Sequence, residues 1–153
     1  MPVHAIALKL LDGLIDIYMP DFKFWESTTV RDLCKAKDYP ERAREAITEM
    51  HRQVGPLTFG PDDLAKRGVL VRHLVMPAQQ DESEAIFRWL AEAISLDTYV
   101  NIMGQYRPDY EVGQIARNGN KKYASINRHS DDSELSTAFA LARKAGLWRF
   151  DTR

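Results

Sequence analysis

Cysteine is almost absent from this chain: Cys34 stands alone among 153 residues. That excludes an intrachain disulfide and any site drawing two or more thiolates from this chain. Charge of neither sign is in excess, with 21 Lys and Arg against 22 Asp and Glu. Nothing here attracts a polyanion, so nucleic acid is not an expected partner. No long hydrophobic run exists either. The greasiest stretch, "MPVHAIALKLLDGLIDIYMP", is interrupted by Lys9, Asp12 and Asp16, well short of the ~20 apolar residues that a membrane span needs. It has no basic segment ahead of a clean apolar block, so a secretory signal is not expected and the cytosol is the expected compartment. A glycine-rich phosphate loop and a G-x-S-x-G elbow are both missing. His4, His51, His73 and His129 show no zinc-motif spacing.

What is present is an ordinary globular composition, 44% apolar and 28% charged, which supports a sizeable core in one domain. Apolar residues at helical spacing from Pro2 to Leu11, then Gly13, predict a short helix running into a strand, Leu14 to Met19, that Pro20 ends. Thr28 or Thr29 caps a short helix through Cys34, which reads as a packed small hydrophobe on an amphipathic helix. "YPERAREAITEMHRQVG" predicts a helix with Pro40 in its first turn, and "LTF" a short strand. "VLVRHLVM", Val69 to Met76, predicts a long strand. Asp81 with Glu84 suggests a capping box for a helix presenting Ile86, Trp89, Leu90, Ala93 and Ile94 on one face. "TYVNIM", Thr98 to Met103, is the next strand, followed by a polar stretch with weak signals. Asp131 with Glu134 opens a last helix, 131–145, before Gly146 and a short "LWRF" strand. Strands alternating with helices argue for an α/β fold with a parallel sheet, covered by helices on both faces.

Ligands of parallel α/β architectures bind beyond the carboxyl ends of the strands. Those ends carry Asp21 and Lys23, then Arg72 and His73, then Asn101, Gln105, Tyr106 and Arg107. Side chains alternate along a strand, so Arg72 and His73 face opposite ways and are not expected to serve one site. A guanidinium in such a strand requires an anion. The partner is either an internal carboxylate such as Asp21 or a ligand carboxylate or phosphate. His73 is better read as a hydrogen-bonded core histidine than as a ligand. Asp21 and Lys23 can also pair with each other on a loop. Arg117, Lys121 and Lys122 in "ARNGNKKY" read as a solvated loop, and Trp25, Trp89 and Trp148 are too dispersed in sequence to reveal a stacking platform.

Taken in order, "LLDGLIDIYMPDFKFW", "RGVLVRHLVMP" and "DTYVNIMGQYRP" resemble the radical S-adenosylmethionine superfamily, and more narrowly the group related to pyruvate formate-lyase activating enzyme. The resemblance runs from about Leu10 to "AGLWRF". It implies an incomplete parallel (β/α) barrel in which a [4Fe-4S] cluster binds and reductively cleaves S-adenosylmethionine, releasing a radical that abstracts hydrogen from a substrate. By the same resemblance, Asp21, Lys23 and Arg72 line the S-adenosylmethionine site, with Gln105 and Tyr106 near the nucleoside. The family's C-x-x-x-C-x-x-C loop has no counterpart here, and neither do its "GGE" and "TNG"-like segments. Thiolates are the normal protein ligands of such clusters. The chain therefore looks like the C-terminal half of the family's barrel, expected to be inactive alone. Its expected partners are a cysteine-bearing complementary half, or further copies joined through the unpaired edge of the strand at 14–19. An unrelated small-anion-binding domain and a non-catalytic α/β module are the alternatives.

Overall fold

A computed structural model of the protein describes residues 3–151. Helix α1 (Val3–Leu10) leads through a turn at Gly13 into strand β1 (Ile17–Tyr18), and helices α2 (Ser27–Cys34) and α3 (Tyr39–Val54) follow. Pro2, expected in the first helix, lies outside the described residues. Strands β2 (Thr58–Phe59) and β3 (Ala65–Leu74) precede helix α4 (Gln80–Trp89), which continues as a π-helical turn over Leu90–Ile94. Strand β4 (Tyr99–Met103), a 3-10 turn at Ala124–Ile126, helix α5 (Asp132–Lys144) and strand β5 (Arg149–Phe150) complete the order.

The sheet runs β1-β3-β4-β5 with every neighbouring pair parallel, and β2 lies antiparallel on β3. This is the α/β class with a mostly parallel sheet that the alternation of strands and helices predicted. β3 is its longest strand, and Leu70 to Leu74 lie opposite Tyr99 to Met103 in register.

One departure decides where a ligand can go. Cover on both faces was expected, but among the described residues helices cover only one. Val69, Val71, His73, Val75, Val100 and Ile102 are buried together with Ile47 of α3, Ile86 and Phe87 of α4, and Ala138 and Ala142 of α5. Each large apolar side chain buried there stabilises the fold by about 1.5–3 kcal/mol. The intervening residues Leu70, Arg72, Leu74, Tyr99, Asn101 and Met103 are only half-buried. The two-residue alternation is thus read out as one helix-covered face and one open face.

Smaller corrections have local causes. The strand expected over 14–19 is reduced to Ile17–Tyr18, since Leu14 closes a turn on Leu11 instead. Helix α4 starts after Gln79 without a side-chain cap, so Asp81 and Glu84 do not form a capping box. Glu84 pairs with Lys144 of α5 instead, 3.0 Å away. The π-helical turn breaks the 3.6-residue phase, and Ala93 is exposed rather than on the core face with Ile86 and Leu90. Cys34 is exposed as well, because α2 stops there with Lys35 in a left-handed C-cap and the last turn sits at the rim. The Asp131–Glu134 capping box is present in full.

Gly68 shows why β3 can begin early. It is buried with φ +128°, and a Cβ there would collide with the Pro56 carbonyl and the Leu57 backbone. Only glycine permits that crossing of chains while its N–H donates to Asp16 O at 2.8 Å.

Candidate functional site

The carboxyl ends of β1, β3 and β4 open onto one cleft of about 680 Å³, lined by Asp21, Lys23, Arg72, Leu74, Met103, Gln105, Tyr106, Arg107 and Asp109. All five residues singled out from the sequence, Asp21, Lys23, Arg72, Gln105 and Tyr106, are on this wall. The volume lies within the range of small-molecule sites.

The cleft is built from the chain's own geometry. Past β1 the backbone stays alongside β3: Arg72 N–H donates to Pro20 O at 2.9 Å and Phe22 N–H donates to Arg72 O at 2.9 Å, forming an isolated bridge between Asp21 and Arg72. That places the Asp21 carboxylate beside the guanidinium, with Nε to Oδ1 at 2.7 Å, and Lys23 Nζ reaches the other oxygen at 3.1 Å. The internal pairing weighed for Arg72 and the local Asp21–Lys23 pair are therefore both present, sharing one carboxylate. Arg72 Nε and Asp21 Oδ1 are buried from solvent and meet each other as an ion pair without hydrogen-bond alignment.

Tyr106 is committed at its tip: its hydroxyl donates to Ile126 O at 2.9 Å, and burial raises its pKa above the usual phenol value. Its ring packs with Phe24, Met76 and Ile126 in a second, smaller core under the long 104–131 connection. Gln105 is exposed, its amide nitrogen 3.9 Å from Met103 Sδ. Arg107 makes no ion pair among the described residues, while the Asp109 carboxylate accepts from Tyr110 N–H at 2.7 Å. Asp109 was invisible in sequence because it lies in a stretch without periodicity. Arg107 stands out in sequence only as a strand-end neighbour. Three cations against two carboxylates leave the wall with one positive charge in excess.

Behind this wall, on the helix-covered side, His73 is 1% exposed. Its Nδ1 is 2.8 Å from Phe22 O and its Nε2 2.8 Å from Ser83 Oγ. A carbonyl oxygen can only accept, so Nδ1 carries the proton and Nε2 accepts from the serine. Burial lowers the His73 pKa to about 4, keeping the ring neutral. The reading of a satisfied core histidine holds. Arg72 and His73 face opposite ways, as expected, and only Arg72 lines the cleft. From opposite faces of β3, the two grip consecutive residues of one segment, Asp21 and Phe22.

The remaining candidates stay apart. Trp25 and Trp89 converge with Phe22, their indole centroids 6.4 Å apart, whereas Trp148 is exposed elsewhere and bonded to Asp97. Arg117 and Lys121 are exposed beside a turn, and Lys122 pairs with Glu111 at 3.3 Å. Among the described residues no three His, Cys, Asp or Glu side chains are grouped to hold a metal ion, and no helix is long and apolar enough to cross a membrane.

The chain is 32% identical over 141 residues to an uncharacterized protein of Methanocaldococcus jannaschii, a match that covers 92% of this chain and 35% of that protein. The chain thus spans well under half the length of this relative. No model of a known protein family matches the chain, and no solved structure matches it significantly.

Proposed function

We propose that this chain forms one wall of an S-adenosylmethionine site, as part of an incomplete (β/α) barrel of the radical S-adenosylmethionine type. The observation that carries the reading is the convergence of Asp21, Lys23, Arg72, Gln105 and Tyr106 on one cleft at the carboxyl edge of a parallel sheet. The open sheet face, opposite the helices, supports a barrel interior.

The residues suit that ligand. An α-amino-acid end needs both signs of charge, which Asp21 and Asp109 offer beside Lys23, Arg72 and Arg107. Leu74, Met103 and Tyr106 provide apolar surface for a nucleoside. They do not suit a [4Fe-4S] cluster. Cys34 is the chain's one thiol, exposed on α2 and outside this cleft. The chain's own residues thus serve cofactor binding alone.

The test is isothermal titration of the full chain with S-adenosylmethionine, with methionine and adenosine titrated separately. Saturable binding with one ligand per chain, lost in Arg72→Gln, is expected. Binding of inorganic phosphate or citrate with no response to S-adenosylmethionine would identify a small-anion domain instead.

A second reading, a module that docks on a complementary chain, is favoured by the β1 edge. Leu10, Leu14 and Met19 are 74%, 74% and 60% exposed there. Beside them lies an apolar groove of about 430 Å³ between α1 and α3, which includes Leu11, Ala43 and Met50. The two readings are compatible, since Asp21 lines both the groove and the charged cleft.

A further inference from the structure

Residues 20–26 carry two of the charges of the cleft and form no helix or extended ladder; a single bridge at Asp21 is their only sheet pairing. Such a segment normally has main-chain groups exposed to water and a variable course. Here it alternates like a strand. Phe22 and Phe24 are buried while Asp21 and Lys23 are half-buried, and its polar backbone groups are taken up by side chains from three other elements.

From β3, His73 Nδ1–H donates to Phe22 O, and Ser83 of α4 holds the other ring nitrogen. From α4, a single carboxylate oxygen of Glu82, itself 5% exposed, accepts from the amides of both Trp25 and Glu26, the latter at 3.0 Å. From α3, the Tyr39 hydroxyl donates to Asp21 O at 3.0 Å and accepts from Lys23 N–H at 3.1 Å. His73, Glu82 and Ser83 are three of only six buried polar or charged residues among those described. Burying such groups is costly when apolar side chains of similar volume could fill the space. Two of them, His73 and Glu82, bond one irregular segment directly and the third, Ser83, braces His73, which indicates that the course of this segment matters.

We infer that His73, Glu82 and Tyr39 are positioning residues, a three-sided clamp that fixes residues 20–26 so that Asp21 and Lys23 enter the cleft in register with Arg72. The inference rests on the ligand-binding reading for its consequence and on the hydrogen bonds above for its geometry. None of the three lines the cleft. They act through the main chain of Asp21, Phe22, Lys23, Trp25 and Glu26.

The experiment uses the full chain in two measurements on Tyr39→Phe, His73→Leu and His73→Gln. Without ligand, amide hydrogen exchange at residues 22–26 is expected to rise by roughly fivefold to tenfold in Tyr39→Phe and His73→Leu, the effect of losing one net hydrogen bond. Val71 and Val100 in β3 and β4 keep wild-type protection. Glutamine can donate and accept as the imidazole does, so His73→Gln is expected to restore the wild-type pattern. With S-adenosylmethionine as the probe, affinity falls by a similar factor in the first two variants and recovers in the third. Tyr39→Phe removes only a half-buried hydroxyl and serves where His73→Leu fails to fold. Exchange that is unchanged at 22–26, or raised uniformly across the sheet, would overturn the clamp. So would localised exchange with ligand affinity left intact. If wild type ignores S-adenosylmethionine while exchange rises only at 22–26, the cofactor reading fails and the positioning of this segment stands.

Discussion

Arg72 and Asp21 meet twice, once through the main chain, where Arg72 bonds the residues on either side of Asp21, and once through side chains 2.7 Å apart. The main-chain contact holds the two residues side by side, which brings their side chains within reach of each other. Both side chains are nevertheless partly exposed, 42% and 32%, which screens their attraction. A double-mutant cycle with Asp21→Asn and Arg72→Gln, followed by urea unfolding, is expected to give a coupling of less than about 1 kcal/mol. Ligand affinity, measured in parallel, should fall in both single variants. A coupling of several kcal/mol would mean that the pair serves the fold and not the cleft.

Protonation of His73 provides a second prediction. Its folded pKa of about 4 lies below the ordinary value of 6.5, because burial disfavours the cation. At pH values between the two, the unfolded chain binds the proton and the folded chain does not, so stability falls as pH drops from about 6.5 to about 4. The contribution present above pH 6.5 is about 3 kcal/mol if the whole shift is expressed. Urea midpoints measured across this window in wild type and His73→Gln should differ in slope, the variant being flatter. Parallel slopes would place the acid sensitivity elsewhere.

Gly68→Ala should be severe. The substitution brings a Cβ into the Pro56–Leu57 backbone and also strains φ +128°. Collision with main chain cannot be relieved by a rotamer change, so a loss of more than about 3 kcal/mol is expected, near the limit for a single methyl group. Thermal unfolding checks this. An alanine variant within about 1 kcal/mol of wild type would show that β2 can move away from β3 at little cost.

The β1 edge predicts self-association in the absence of a covering partner. Light scattering after gel filtration at increasing concentration should show species larger than a monomer, shifted toward the monomer in Leu14→Lys/Met19→Lys. Both side chains are exposed in the described structure, so the double variant should keep its fold. A monodisperse wild type with cooperative unfolding at low micromolar concentration would mean that this edge is protected without a partner.

Sequence patterns located the long elements because their signals are local. Short runs rich in aliphatic residues marked β3 and β4, and the Asp131–Glu134 spacing marked the start of α5. The failures occurred where a distant group intervened. Asp81 and Glu84 have capping-box spacing, yet neighbouring Glu82 caps residues of another segment and Glu84 reaches α5. The π-helical turn that exposes Ala93 has no signature in a 3.6-residue pattern. In the cleft, strand ends and the quoted motifs led to Asp21, Lys23, Arg72, Gln105 and Tyr106. The roles of Tyr39, His73 and Glu82 depend on hydrogen bonds spanning 16, 51 and 57 positions, and no local pattern encodes these.

The 51 positions between Phe22 and His73 also set a timetable for synthesis. A ribosome adds roughly 5–20 residues per second, so the segment bearing Asp21 and Lys23 emerges several seconds before the strand that orders it. During that interval its two phenylalanines and Trp25 are exposed without cover. Closing a loop of that length costs on the order of 3.5 kcal/mol in chain entropy beyond a constant term, recovered only once β3 is in place. The cleft is therefore assembled late, and nascent chains stalled before β3 should be the form most readily captured by chaperones or cut by proteases.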